Sequence, residues 1–205
     1  VITALAAMQA AGGLDFLIGV AGKILAGRPR QVTFLAPLVT YVLVLASGTQ
    51  HVVYALLPVI AEVSRKAGVR PERPLSASVV ASMNGIIASP IGAATVALVG
   101  LLAGVNVGLP QILMVIIPAT LVGTLLATLS VAWWGKELRD DPEYLRRVQA
   151  GTITDVASQR ALEGIALRRA IGSCVVFLVA IVVVVGIGLY PDARPVYEKL
   201  TEGVT

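Results

Sequence analysis

The chain has 205 residues, of which 57% are hydrophobic and 14% are charged, and its mean hydropathy is +0.86. Soluble domains average about 45–50% apolar and about 25% charged residues, so this composition excludes soluble enzymes built on charged clefts and predicts a membrane protein. The formal net charge of +4 does not indicate nucleic-acid binding, because the basic residues lie at the ends of apolar runs. Basic residues in those places are typical of the cytoplasmic flanks of membrane helices.

Three runs of the sequence contain no Asp, Glu, Lys or Arg: Gln31–Ala61, Pro74–Gly135 and Ala170–Pro191, of 31, 62 and 22 residues. A single membrane-spanning helix needs about 20 apolar residues. Of the 16 lysines and arginines, 14 fall in the segments 23–30, 65–73 and 136–169. The positive-inside rule places these segments together on the cytoplasmic side. We therefore predict an all-α, polytopic transmembrane protein.

The N-terminal residues predict the end of a membrane span, followed by a helix along the membrane surface. Val1–Ala11 is apolar, and Leu14–Ala26 carries Asp15 and Lys23 on a largely apolar helix. The second pattern is typical of an interfacial segment. Because the chain begins within an apolar pattern, without the basic start of a signal peptide, we expect it to be part of a longer protein.

The charge-free run 31–61 begins and ends beside basic cytoplasmic segments, so it must enter and leave the membrane on the same side. Two complete spans would need about 40 residues and a turn, which the run does not provide. We predict a re-entrant hairpin over residues 31–63, with arms near Val32–Ala46 and Val52–Val63 and the polar tip Ser47-Gly48-Thr49-Gln50 between them. Irregular backbone at that depth occurs only where it is buried in protein or lines a water-filled cavity. The tip is therefore a candidate site.

The run 74–135 is long enough for two spans. We predict an outgoing span over 75–104, an uncharged outer turn, and a returning span over 111–134 that ends with Trp133 and Trp134 at the membrane interface. The outgoing span contains Asn84-Gly85-Ile86-Ile87-Ala88-Ser89-Pro90-Ile91-Gly92. Two glycines weaken the helix there and Pro90 lacks a backbone donor, so this span is predicted to be a broken helix.

After residue 135 the sequence predicts a cytoplasmic linker, one further span and an external loop. The linker covers 136–169, and we interpret its mixed charges as a solvated helix face. The span covers 170–190 and the loop covers 191–205. Cys174, the single cysteine, lies in this span, and we expect it to be a small buried or lipid-facing apolar side chain.

A polar tip and a broken helix close together in sequence are the arrangement expected where transporters hold substrate near the membrane midplane. The ends of interrupted helices there present N–H groups to anions and carbonyl groups to cations. The tip and the break contribute almost only neutral donors, so we expect an anion to be held by hydroxyls, amides and backbone N–H groups. The candidate substrate-binding residues are Ser47, Gly48, Thr49, Gln50, His51, Asn84, Gly85, Ser89, Pro90 and Gly92.

Each candidate residue also has a purely structural interpretation. Serine and threonine in membrane helices often bond to their own backbone or join helices together. Asn84 could cap a half-helix, the glycines could permit close packing, and His51 could either titrate near neutral pH or make a structural hydrogen bond. We predict no catalytic residue, metal or cofactor, since the sequence has no GxSxG, HExxH or GxxxxGK[ST] motif and no second histidine.

Five stretches carry a family resemblance: Ala7-Met8-Gln9-Ala10-Ala11-Gly12-Gly13-Leu14-Asp15, Gly48-Thr49-Gln50-His51-Val52-Val53-Tyr54, Leu57-Pro58-Val59-Ile60, Val69-Arg70-Pro71-Glu72-Arg73-Pro74 and Gly85-Ile86-Ile87-Ala88-Ser89-Pro90. In this order, over about Ala7 to Arg139, they resemble the anaerobic C4-dicarboxylate carriers, the Dcu family. The tip departs at Gln50 from the Gly-Thr-Gly-His pattern of that family. The layout also resembles the first half of the larger ion-transporter superfamily, built from inverted repeats, which makes residues 1–135 the first transport repeat.

The resemblance implies a multi-pass carrier of the bacterial inner membrane that imports or exchanges fumarate, malate, aspartate and succinate by alternating access. It implies a binding role for Ser47, Gly48, Thr49 and the Asn84–Gly92 break. The expected partners are a C4-dicarboxylate and the lipid bilayer, with no nucleic acid. A homo-oligomer and a sensor-kinase partner are left open. The alternatives are another organic-anion carrier of the same superfamily with cation coupling, a membrane regulatory or interaction protein and, last, an intramembrane enzyme.

Overall fold

The computed structural model describes residues 10, 12–105, 107–135, 138–150 and 164–189, and this part of the chain consists of helices and connecting turns without a strand. The α-helices are α1 (Gly13–Gly27), α2 (Val32–Ser47), α3 (Val52–Ala67), α4 (Glu72–Ala88), α5 (Ala93–Leu102), α6 (Leu109–Ala132), α7 (Pro142–Gln149) and α8 (Gly164–Leu189). Short 3-10 turns lie at Pro29–Gln31, Ala103–Val105 and Leu138–Asp140. The span end predicted over Val1–Ala11, apart from Ala10, and the loop predicted over 191–205 lie outside the described residues.

Three helical segments of the described chain are long and apolar enough to cross a membrane: Pro29–Ser47, Glu72–Leu102 and Leu109–Ala132, with 19, 31 and 24 residues. At a rise of 1.5 Å per residue, a helix of 24 residues is about 36 Å long, which exceeds the roughly 30 Å of a bilayer's hydrocarbon core. The prediction of an all-α, polytopic membrane protein is therefore confirmed. The segment Glu72–Leu102 contains α4, the break and α5.

The helices α2 and α3 form a pair joined by only four residues, 48–51. Gly48 ends α2 with a φ of +65° while its N–H bonds to the carbonyl of Val44 at 2.9 Å. This left-handed conformation is accessible to glycine at little cost, and glycine is the usual residue that ends a helix in this way. The apolar face of α1, with Ile18, Ala21 and Leu25, packs into one core with both helices of the pair.

The helices α2 and α4 run side by side in the same direction. A Cβ atom on Gly85 would lie 2.8 Å from the carbonyl oxygen of Tyr41 and 3.1 Å from Cβ of Val44. Further along both helices, a Cβ atom on Gly48 would lie 2.5 Å from Cγ1 of Ile91. Since later residues of one helix contact later residues of the other, the C-terminal ends of α2 and α4 lie together.

Two polar pairs join α6 to α2 and α4. The hydroxyl of Tyr41 lies 2.9 Å from Oγ1 of Thr120, and Nδ2 of Asn84 donates to Oγ1 of Thr124 at 3.1 Å. Interhelical hydrogen bonds of this kind contribute about 0.6 kcal/mol each in membrane proteins. Their main consequence is to set the rotation of α6 relative to the two helices that carry the tip and the break.

Two arginines join the start of α4 to the ends of α6 and α7. Arg73 is 9% exposed, and it donates from Nε to the carbonyl of Trp134 at 2.8 Å and from Nη2 to the carbonyl of Gly135 at 2.7 Å. These carbonyls follow the last turn of α6, where no backbone donor continues the helix. Arg70 pairs through Nη1 with Oδ2 of Asp141 at 3.0 Å, and Asp141 accepts two backbone N–H groups at the start of α7.

Candidate functional site

The turn between α2 and α3, which we call the tip (residues 47–51), is held by its own side chains. The fully buried Ser47 donates from Oγ to the carbonyls of Val44 at 3.3 Å and Thr49 at 3.2 Å. Oγ1 of Thr49 accepts the N–H of His51 at 3.4 Å. No side chain caps the N-terminus of α3, and the N–H groups of Val53 and Tyr54 donate to the carbonyls of Gln50 at 3.0 Å and His51 at 3.2 Å.

The interruption between α4 and α5, which we call the break (residues 89–92), follows from one proline and one glycine. Ser89 is extended, with φ −70° and ψ 126°, as expected of the residue before a proline. Pro90 has no N–H to continue the α4 ladder. A Cβ atom on Gly92 would lie 2.7 Å from the carbonyl oxygen of Ile86, so only glycine fits at that position without a shift of the backbone.

The tip and the break are in direct contact. A Cβ atom on Gly48 would lie 2.5 Å from Cγ1 and 2.8 Å from Cδ1 of Ile91, and 3.5 Å from Oγ of Ser89. Ser89 is fully buried, and its Oγ has no hydrogen-bond partner among the described residues. A buried hydroxyl without a partner is unusual in a protein, because its desolvation is then uncompensated. This hydroxyl is the best candidate for a group that bonds to a ligand.

Four helix ends lie within a few residues of this contact along the chain. The C-termini of α2 and α4 bring carbonyl groups, and the N-termini of α3 and α5 bring N–H groups. The charge-free runs 31–61 and 74–135 supply all four ends, so no ionised Asp, Glu, Lys or Arg of these runs competes with the helix termini for an ion. An anion at the contact would interact with the two helix N-termini and with neutral hydroxyls.

The structure brings part of the predicted site together and directs other members elsewhere. The residues at the contact are Ser47, Gly48, Thr49, Ser89, Pro90 and Gly92. The side chain of Gln50 leaves the tip and donates from Nε2 to Oγ of Ser82 at 3.4 Å and to Sδ of Met83 at 3.1 Å. His51 is exposed and lies beside the ring of Tyr54, with 6.2 Å between the ring centroids.

Asn84 and Gly85 lie about one turn before the break and serve helix contacts. Asn84 bonds to Thr124 of α6, and the same amide nitrogen would lie 3.4 Å from a Cβ atom on Gly123. Gly85 faces the backbone of α2 at Tyr41. In the described structure these two positions therefore hold α4 between α2 and α6.

Two further residues belong to the contact. Ile91 covers Gly48 on one side and packs on the other against Cys174 and Phe177 of α8. An apolar residue within an apolar run gives no sequence signal for such a role. Thr95 donates from Oγ1 to the carbonyl of Ile87 at 3.1 Å, which satisfies a carbonyl that the break leaves without its helical donor.

A surface cleft of about 470 Å³ lies away from the tip and the break, at the start of α4. It is lined by Arg70, Arg73, Ser76 and Trp134 among others. Both guanidinium groups are engaged, Arg70 with two carboxylates and Arg73 with two carbonyls. The cleft is therefore a gap between the end of α6 and the start of α4 and not part of the candidate site.

The three candidate spans and the break between α4 and α5 define a multi-pass helical membrane protein. A family model described as "Anaerobic c4-dicarboxylate membrane transporter" matches residues 1–203, and the chain belongs to that family. It is 43% identical to the C4-dicarboxylate transporter DcuA of Wolinella succinogenes over 185 residues, which cover 90% of this chain and 42% of that protein. It is 43% identical to DcuA of Escherichia coli K12, covering 75% of this chain and 36% of that protein.

A third relative is the anaerobic C4-dicarboxylate transporter DcuB of Escherichia coli O6:H1, which is 41% identical over 70% of this chain and 33% of its own length. The chain thus spans less than half the length of each of these relatives. No solved structure matches the chain.

Proposed function

We propose that the complete protein carries C4-dicarboxylates, such as fumarate, malate, aspartate and succinate, across the bacterial inner membrane by alternating access. The observation that carries the proposal is the buried hydroxyl of Ser89 beside Gly48, which has no hydrogen-bond partner among the described residues. Membership of the C4-dicarboxylate transporter family supports the substrate class.

In this proposal one carboxylate of the substrate accepts hydrogen bonds from the Ser89 hydroxyl and from backbone N–H groups at the start of α5. The Thr49 hydroxyl adds a donor, because it keeps its own O–H while its oxygen accepts the N–H of His51. Neutral donors backed by helix dipoles bind a carboxylate without holding it as tightly as a buried guanidinium would. Weak, reversible binding suits a carrier that must release its substrate on the other side.

The test is uptake of labelled fumarate by the complete protein in proteoliposomes that are either empty or preloaded with succinate. We expect faster uptake with internal succinate, which identifies exchange, and no uptake of either acid would contradict the proposal. Replacing sodium with potassium separates a cation-coupled organic-anion carrier, whose rate would fall. An Asn84 variant that loses uptake and keeps a signalling response would identify a regulatory role.

The location of the site is tested with Thr49→Val and Ser89→Ala, each of which we expect to lower uptake about tenfold or more, as for the loss of one charge-assisted hydrogen bond. Ser78→Ala is the matched control. Ser78 is also fully buried on α4 with an unpartnered Oγ, but it lies three turns before Ser89. We expect this control to transport normally. Normal transport by both site variants would place the substrate elsewhere.

A further inference from the structure

The helix α7 is amphipathic, and its apolar face is uncovered. On a helical projection Tyr144, Leu145 and Val148 share one side, while the ionic residues Glu143, Arg146 and Arg147 share the opposite side. Leu145 is 46% exposed and Val148 is 49% exposed. Within the described chain, the preceding 3-10 turn Leu138–Asp140 is the element against which α7 packs most.

The position of α7 relative to the membrane is fixed by its connection to α6. The span α6 ends at Ala132 and is followed by Trp133 and Trp134, which are 77% and 76% exposed. Exposed tryptophans at the end of a span mark the level of the lipid headgroups. Arg73, in the first turn of α4, holds the carbonyl of Trp134, and Arg70, in the loop before α4, pairs with Asp141, the N-cap of α7. The helix α7 therefore starts at the level of the headgroups.

The polar face of α7 has one carboxylate and two guanidinium groups, which pair with one another and leave a net charge of +1. Glu143 pairs with Arg146 at 3.0 Å and with Arg147 at 2.8 Å. Such a face does not call for an acidic partner protein. The apolar face of three side chains is also far smaller than the roughly 800 Å² that each partner contributes to a stable protein interface. A shallow apolar strip beside interfacial tryptophans fits a lipid surface instead.

We propose that Pro142–Gln149 is an interfacial helix that lies on the cytoplasmic leaflet, with Leu145 and Val148 inserted at the boundary between headgroups and acyl chains. The first part of the segment interpreted from sequence as a solvated linker is then a membrane-bound element. Its function is to hold the end of α6 and the Arg70 loop at a constant depth. The proposal does not depend on what the protein transports.

The test uses the complete protein in phosphatidylcholine and phosphatidylglycerol vesicles, with all other cysteines replaced by serine. Single cysteines Leu145→Cys and Val148→Cys, and the matched controls Arg146→Cys and Arg147→Cys on the same helix, carry an environment-sensitive nitrobenzoxadiazole label. We expect iodide quenching constants at 145 and 148 to be at least about threefold lower than at 147, as for side chains inserted among headgroups. Lipids spin-labelled near the headgroup should quench 145 and 148 more strongly than 146 and 147.

Equal iodide quenching at all four positions would overturn the proposal and restore a solvated helix. Protection of 145 and 148 from iodide without quenching by the spin-labelled lipid would also overturn it, because protein would then cover this face. All four positions are exposed in the described structure, so the substitutions do not disturb a packed core.

Discussion

Gly48 is the residue on which contact between the tip and the break depends most directly, and Gly48→Ala tests this dependence. The substitution has two costs. The φ of +65° at Gly48 lies in the left-handed region, which costs a residue with a Cβ about 1–2 kcal/mol. The added methyl group would also lie 2.5 Å from Cγ1 of Ile91, and overpacking of this kind costs about 1–3 kcal/mol.

A rotation of the Ile91 side chain would relieve only part of the second cost. That side chain packs on its other side against the cluster of Cys174 and Phe177. The two costs together lower the stability of the docked tip, meaning the tip in contact with the break, by about 2–5 kcal/mol. Even the lower value changes the ratio of docked to undocked tip about thirtyfold.

The assay is the thermal unfolding temperature of the purified protein, measured beside fumarate uptake. Gly68→Ala is the matched control for backbone strain, because Gly68 ends α3 with a φ of +71° and lies outside the tip. Gly100→Ala controls for the added methyl group, because a Cβ atom there meets nothing within 4 Å. We expect Gly48→Ala to lower the unfolding temperature more than Gly68→Ala and to be the only one of the three that abolishes uptake. An unfolding temperature and uptake equal to those of Gly100→Ala would refute the contact.

Three further predictions concern the polar contacts that hold the helices in register. The pKa of Asp141 is lowered, first by the backbone N–H of Glu143 at the start of α7 and also by Arg70. The Asp141 carboxylate therefore stabilises the folded protein above its ordinary pKa of about 4, and this stabilisation is lost as the pH falls through the lower pKa of the folded state. Asp141→Asn should therefore lower the unfolding temperature at pH 7 and have progressively less effect below about pH 4. Arg73→Lys should lower the free energy of unfolding by about 2 kcal/mol in denaturant titrations, because an ammonium group cannot bond to both carbonyls with the geometry of the guanidinium. Unchanged stability of that variant would contradict the role of Arg73 in capping the end of α6. Tyr41→Phe combined with Thr120→Val in a double-mutant cycle should give a coupling energy of about 0.6 kcal/mol, and a value of zero would mean that the 2.9 Å contact carries no energy.

Those features of the fold that depend on local chemistry could be predicted from the sequence. The charge-free runs contain α2, α5, α6 and all of α4 after Arg73, because a charged side chain in the hydrocarbon core is costly. Gly48 ends one helix and Pro90 ends another where the sequence indicated, because one permits a left-handed turn and the other removes a donor. Both effects act over a few residues, so they are visible without knowledge of the neighbours.

The direction in which a side chain points depends on the rotation of its helix, and this could not be predicted from the sequence. Asn84 lies within α4, whereas Ser89 lies directly after its end in extended backbone. Asn84 faces α6 and Ser89 lies beside Gly48 of the tip. Likewise, the side chain of Gln50 reaches Ser82 because α4 runs beside the hairpin, a fact that no local pattern contains. The position of Pro142–Gln149 at the end of α6 depends in the same way on one long-range pair, Arg70 with Asp141.

The meeting of tip and break nevertheless follows from two lengths and one charge rule. The helix α2 starts two residues after Arg30 and α4 starts two residues after Arg70, so both begin at basic segments that the positive-inside rule assigns to the same side of the membrane. They have 16 and 17 residues, which correspond to about 24 Å and about 26 Å of helix. Because they run in the same direction, their ends reach nearly the same height, and each end is an interruption. The sequence thus encodes the depth of the candidate site in the distance from each basic segment to the residue that stops its helix.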